Sequence, residues 1–346
     1  MCGIVKTGWW VGALIVLALG TAAVAVWRSD KAGTGSGLRG EFTYDLAPFM
    51  KTDPRQILYT ETAAIVTDFK QPRALAVGPR DSVYVAGDKT IRWFDAAGRR
   101  ADEIGNLVGT PGCLAVAADG TIYAGLRDHV EVYAPQPGPR QPQAVWASLG
   151  EKATLTSLAA GKTDVFAADA GNRVVIRYDR TGKELGRIGR RDKERDIRGL
   201  VIPSPYFDVA LSADGLLEVA NTGLYRIEAY RFNGDFVSAW GERGTAAERF
   251  CGCCNPAHFT LLPDGSFVTA EKGLCRVKCY DAHGAFLGFV AGPELFLQPG
   301  QKYDAEHPPE SHPTVVPDLA ADSRGRVLVL DPGSGNVRVF EKNSGK

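Results

Sequence analysis

The residues best suited to chemistry crowd into one short stretch. Phe250-Cys-Gly-Cys-Cys-Asn-Pro256 carries Cys251, Cys253 and Cys254, and Cys275 and Cys279 follow shortly after it. Thiols at this density have three readings. Thiolates can hold a tetrahedral zinc ion or an iron–sulfur cluster, they can be bridged if the domain lies outside the cytoplasm, or they can be free. Cys275 and Cys279 fall four residues apart in a strand pattern, a separation of about 13 Å, too far to share a metal or a bridge. The candidate cluster is therefore Cys251, Cys253, Cys254 and Cys275, with a disulfide from Cys275 to one of the other three as the expected bridge; Cys279 reads as an inert core residue. A second group lies in LQPGQKYDAEHPPESHP, Leu297–Pro313, where Glu306, His307, Glu310 and His312 offer two imidazoles and two carboxylates to a divalent metal. A Pro-stiffened, solvated loop would carry the same residues.

The elements that position these groups come from an internal repeat. Six copies of one pattern begin near Gln71, Pro111, Thr156, Tyr206, Asn255 and Val316. Each holds three or four short runs rich in Val, Ile, Phe and Tyr, separated by turns such as Asp119-Gly120, Asp214-Gly215 and Asp264-Gly265. Runs of this kind are strands joined by hairpins, and four strands per unit of roughly 40–50 residues is the spacing of β-propeller blades. The sixth copy lacks a clear fourth strand, while Gln56–Thr67 supplies one before the first copy. Pairing that strand into blade 6 would close the ring and leave no open blade. The fold class is all-β, a six-bladed β-propeller over residues 56–346.

The units resemble the NHL-repeat family of propellers, on the core P-x-x-[LV]-A-[VL]…DG…V-x-[AV]…[RN]-[VI]-x-x-[YF]…G, over roughly Gln56 to the end. The resemblance implies that the first strand of each blade lines the central channel. It also implies that the loops into that strand, and those between the second and third strands, open on one face. Registered on their turns, the copies then place Ala74, Cys113, Ser157, Asp208, His258 and Asp318 near the channel mouth. Asp208, His258 and Asp318, from neighbouring blades, could bind a divalent metal or act as an acid–base group; a polar, water-filled channel would need the same residue types. The cysteine loop reads as an insertion in the blade 4–5 linker on that face, where Asp169, Asn221, Glu271 and Asp331 also fall, either as ligand contacts or as turn formers.

Before the repeats, Trp9–Trp27 is an uncharged run whose helix would be roughly 28 Å long, close to the hydrocarbon thickness of a bilayer. It reads as a signal anchor following a short leader, residues 1–8, with Ala23-Val24-Ala25 as the cleavage site of the alternative signal peptide. Residues 28–55 form a linker whose Ser29–Gly40 part is a flexible tether. A single-pass membrane protein with an extracytoplasmic domain, periplasmic or cell-surface, is expected. The chain has 40 basic and 40 acidic residues, and this zero balance gives no electrostatic case for nucleic acid. No nucleophile elbow, phosphate-binding Gly loop, H-E-x-x-H or dinucleotide fingerprint is present. The expected function is a binding module for a protein partner or small ligand at the channel mouth, with cofactors unassigned beyond a divalent metal or iron–sulfur cluster. The family resemblance implies one rival, a metal-dependent lyase or lactonase-like hydrolase with its metal in the channel. The thiols suggest another, an accessory subunit of a membrane electron-transfer system.

Overall fold

The computed structural model describes residues 51–344 except 196, 253, 273, 297–315 and 332. The Trp9–Trp27 span, its tether, Cys253, Glu306, His307, Glu310 and His312 lie outside the described residues. Among those described, no helix is long and apolar enough to cross a membrane.

Six four-stranded antiparallel sheets form the ring. Blade 3 shows the plan, with Leu155–Ala160, Asp164–Asp169, Val174–Asp179 and Glu184–Ile188 in order from channel to rim. Its second strand is buried throughout because each face meets a neighbouring blade. Val165 and Ala167 pack with Tyr123 and Val132 of blade 2, while Phe166 and Ala168 pack with Val209 and Val219 of blade 4. Burying one such Val or Phe is worth roughly 1.5–3 kcal/mol, so stability is shared around the ring. The Asp-Gly turns work as expected: Gly120, Gly215 and Gly265 adopt φ near +88°, +84° and +84° and donate back to Ala117, Ser212 and Leu262. A side chain resists that left-handed backbone.

The ring closes as the repeat count requires. Tyr59–Ile65 pairs antiparallel with Asn336–Lys342, from Tyr59 opposite Lys342 to Ile65 opposite Val337, and so becomes the outer strand of blade 6. Asp318–Ala321 and Val327–Asp331 complete that blade on the channel side.

Candidate functional site at the channel mouth

The six registered positions are structurally equivalent. Ala74, Cys113, Ser157, His258 and Asp318 pair with Ala86, Gly125, Ala168, Ala270 and Leu330, and the Asp208 carbonyl accepts from the Ala220 amide. In three blades this residue binds backbone of the next blade. Ser157 Oγ accepts from Val209 N at 3.2 Å, Asp208 Oδ2 from Phe259 N at 2.8 Å, and Asp318 Oδ2 from Leu75 N at 2.7 Å. The other oxygen of each aspartate accepts the following amide of its own strand, Val209 N and Leu319 N. The carboxylates therefore stitch blade 4 to 5 and blade 6 to 1, whatever else they do.

His258 stands between them. Its Nδ1 lies 3.5 Å from Asp208 Oδ2 and 3.6 Å from Asp318 Oδ1, and its side chain keeps 19% exposure. Burial alone would push the imidazole pKa down; the hydrogen bond to Asp208 and the charges of Asp318 and Asp208 outweigh it, and the pKa lies above the ordinary value. Burial, aided by repulsion from Asp208 and opposed by His258, raises Asp318 to about 6. His258 and Asp318 are thus coupled, each shifting the other's protonation. Among the described residues Nε2 has no partner, so one ring nitrogen is held and the other is available. Asp208, Asp318, Ser157 and Cys113 line a channel cavity of about 280 Å³. Cys113 is buried and its pKa is driven up by burial and by Asp318 and Asp208.

Two residues the sequence did not single out complete the rim. Tyr206 meets the His258 ring edge-on, centroids 6.2 Å apart, and Lys272 Nζ sits 5.1 Å above the Tyr206 ring. An imidazole, an aromatic ring and a cation therefore follow one another outward from the channel. Tyr206 stood out only as the start of the fourth repeat copy, and only the turn position of Lys272 could have flagged it.

The cysteine loop sits on blade 5 and is packed into it. Cys251 and Cys254 are buried and stand at C-x₂-C spacing, with Cys275 half-buried on the adjoining loop. Cys251 and Cys275 are free thiols, so the bridge expected from Cys275 to Cys251 is not formed. Burial, then Glu271, raises the Cys251 pKa; burial, then Asp331 and Glu271, raises Cys275 to about 11. Among the described residues no three His, Cys, Asp or Glu side chains group in a way that could hold a metal ion, the Asp208–His258–Asp318 set included. The blade 4–5 linker, residues 241–257, is longer than those entering blades 2 and 3, residues 105–112 and 146–154, and shorter than the one entering blade 4, residues 189–208. Cys279 is a core residue at 1% exposure, as expected.

The loop is fixed by a buried ion cluster. Cys251 N donates to Glu271 Oε1 at 2.8 Å, Arg276 Nε meets Glu271 Oε2 at 2.5 Å, and Lys278 Nζ lies 3.4 Å from Glu271 Oε1. Lys278 is fully buried, donates to the carbonyls of Ala247 and Arg249, and lies 4.6 Å from the Phe250 ring centroid. Asn255 ties the far end, donating to Cys251 O and Lys272 O and accepting from Lys272 N. A signal for this was present: two residues before the aromatic near the end of the third strand, five blades carry a charge, Arg92, Glu131, Glu228, Lys278 and Arg338, where blade 3 has Ile176.

Glu271 shows what the polar face residues do. Asp169 accepts from Thr154 N, Asn221 from Val201 N and Glu271 from Cys251 N, each pinning the linker that enters its own blade. Asp331 accepts from Gly333 N and Ser334 Oγ. They act as turn and linker staples, and each satisfies a loop amide that would otherwise lack a partner.

No protein-family model matches the chain, and no curated protein sequence matches it. Solved structures share the fold. Virginiamycin B lyase from Staphylococcus aureus is 13% identical and aligns over 83% of this chain and 90% of its own, with a TM-score of 0.52. A catalytically inactive variant of that lyase with quinupristin is 10% identical over 82% of this chain and 100% of its own, TM-score 0.53. A structural-genomics protein of unknown function from Bacteroides thetaiotaomicron is 15% identical over 86% and 74%, TM-score 0.55. At these identities the likeness is one of fold.

Proposed function

We propose that this propeller is a membrane-tethered, extracytoplasmic binding module of the NHL-like type that takes a small polar ligand at its channel mouth. The observation that carries the reading is His258, held through Nδ1 between Asp208 and Asp318, two carboxylates that line a channel cavity of about 280 Å³. An imidazole fixed on one side by carboxylates offers a directed hydrogen bond on the other. Lys272 and Tyr206 add a cation and an aromatic face at the rim, so a ligand with an anionic or carbonyl group toward Lys272 and a polar group toward His258 fits the order of residues. In this reading the cysteine loop holds the face in shape. With raised pKa values, Cys251 and Cys275 carry little thiolate at neutral pH, which suits structural thiols better than redox ones. The test is mass spectrometry of small molecules that copurify with the full chain. A compound retained by the wild type and lost from His258→Ala supports the reading; identical profiles refute it. Zinc or iron in the purified protein that disappears in Cys254→Ser would overturn the structural role of the thiols.

One observation favours a second reading. An imidazole backed by two carboxylates, with its other nitrogen available, is the arrangement a general base needs, and virginiamycin B lyase shares the fold. His258 Nε2 would take a proton from the substrate and pass it to the leaving group. Conversion of quinupristin, followed by chromatography, that is abolished in His258→Ala would promote this reading; no conversion by the wild type removes that substrate from it.

A further inference from the structure

The face opposite the channel mouth carries a cavity of about 620 Å³ between blades 1 and 2, more than twice the channel's and within the roughly 300–1,000 Å³ of small-molecule pockets. Tyr84 and Trp93 form one wall, their rings stacked at 5.9 Å and 24°, and Pro135 and Pro137 face the same space. Three carboxylates border it, and each is already committed: Asp95 to Arg99 at 2.8 Å, Asp102 to Arg140 at 2.6 Å, Asp119 to Arg180 at 2.6 Å. Arg80 also lines the cavity, and among the described residues it has no carboxylate partner; its charge acts on the Tyr84 phenol. The backbone there is unusual. Arg80 and Asp81 both adopt left-handed φ, +57° and +58°, at a cost of order 1–3 kcal/mol each for non-Gly residues. The turn is locked by Asp81, which accepts from Ser323 N and Oγ at 2.9 Å, and by Gly78 N to Ser82 O at 2.8 Å. Left-handed backbone held from another blade presents one uncommitted guanidinium beside an aromatic wall.

We infer that this cleft binds a flat aromatic acid, a carboxylate or sulfonate, with its ring against Tyr84 and Trp93 and its anionic group on Arg80. The guanidinium fork matches such groups in two parallel hydrogen bonds. The paired aspartates add no free anion to bind a cation instead. The inference does not depend on the channel reading.

The experiment is isothermal titration calorimetry of the full chain with 2-naphthoate and with 2-naphthamide, its uncharged counterpart. The wild type should bind the acid one to one and about tenfold more tightly than the amide, the scale of one charge-assisted hydrogen bond. Arg80→Asn suits the left-handed backbone and should erase that preference while leaving thermal unfolding in place. His258→Ala should bind the acid as the wild type does. Equal affinity for acid and amide in the wild type, an intact preference in a folded Arg80→Asn, or loss of binding in His258→Ala would each overturn the inference.

Discussion

Replacing Lys278 by Met keeps the side-chain stem and removes the buried ammonium. In the folded protein that ammonium is surrounded by Glu271, Arg276 and Cys251, with the Phe250 and Tyr280 rings against it. Burial lowers its pKa from 10.5 to about 8, with Glu271 pulling the other way. Below pH 8 the lysine is charged in both the folded and the unfolded chain, and the folded state bears the full desolvation cost. Between pH 8 and 10.5 the folded chain releases its proton while the unfolded chain keeps it, so the unfolded state binds more protons and stability rises with pH. At 1.36 kcal/mol per pH unit, the shift is worth about 3 kcal/mol across that window. Tyrosines and other groups titrate there too, but they are common to both proteins and cancel in the difference. Urea unfolding of wild type and Lys278→Met at pH 7, 9 and 10 should show the gap moving in favour of the wild type by most of those 3 kcal/mol. At pH 7 the variant also loses the donor to Ala247 O and Arg249 O, which fixes the starting offset but not the slope. Parallel stability curves would mean that Lys278 is not desolvated as described, and the account of how the cysteine loop is anchored would fall with it.

Three further outcomes are expected. Asp208→Ala strips the acceptor from the buried amides of Phe259 and Val209 and should cost about 1–3 kcal/mol in urea unfolding. Asp318 has its folded pKa raised from 3.8 to about 6, so its contribution favours the folded state below pH 4 and is lost as pH rises through 6; the melting temperature of Asp318→Asn, relative to wild type, should be more favourable at pH 7 than at pH 4.5. Deleting residues 1–50 should leave the circular dichroism of a folded β protein and remove the chain from the membrane fraction, whereas deletion through residue 66 takes the outer strand of blade 6 and should abolish cooperative thermal unfolding.

The ring was legible because each blade repeats its constraints. Regularly repeated turns and strands buried on both faces, such as Asp164–Asp169, fit a ring of blades, and the missing strand of blade 6 was recoverable by counting. Registering the copies also found the ring of equivalent positions at the channel, from Ala74 to Asp318. It did not reveal what those residues do for the backbone, because a hydrogen bond from Phe259 N to the Asp208 carboxylate crosses blades and leaves no local pattern. The thiols drew attention to metal or disulfide chemistry, while the group that fixes their loop is one glutamate, one arginine and one lysine from the following hairpin. Tyr206 and Lys272 were invisible, since their meaning depends on where His258 lies.

The paired ends of the chain also constrain how the domain can be made. Thr60 and Asn343, hydrogen-bonded at 2.6 Å, are 283 residues apart, so the contact that completes blade 6 is among the most distant in sequence and must await synthesis of almost the whole polypeptide. Until then Asn336–Lys342 or Tyr59–Ile65 presents an unpaired strand edge, the kind of surface that recruits other chains. Non-local closure of this type is slow. During its biogenesis the nascent propeller therefore passes through an open, adhesive state whose lifetime is set by how soon its two ends meet, and a chain that is cut or stalled before Asn336 is left without the means to leave that state.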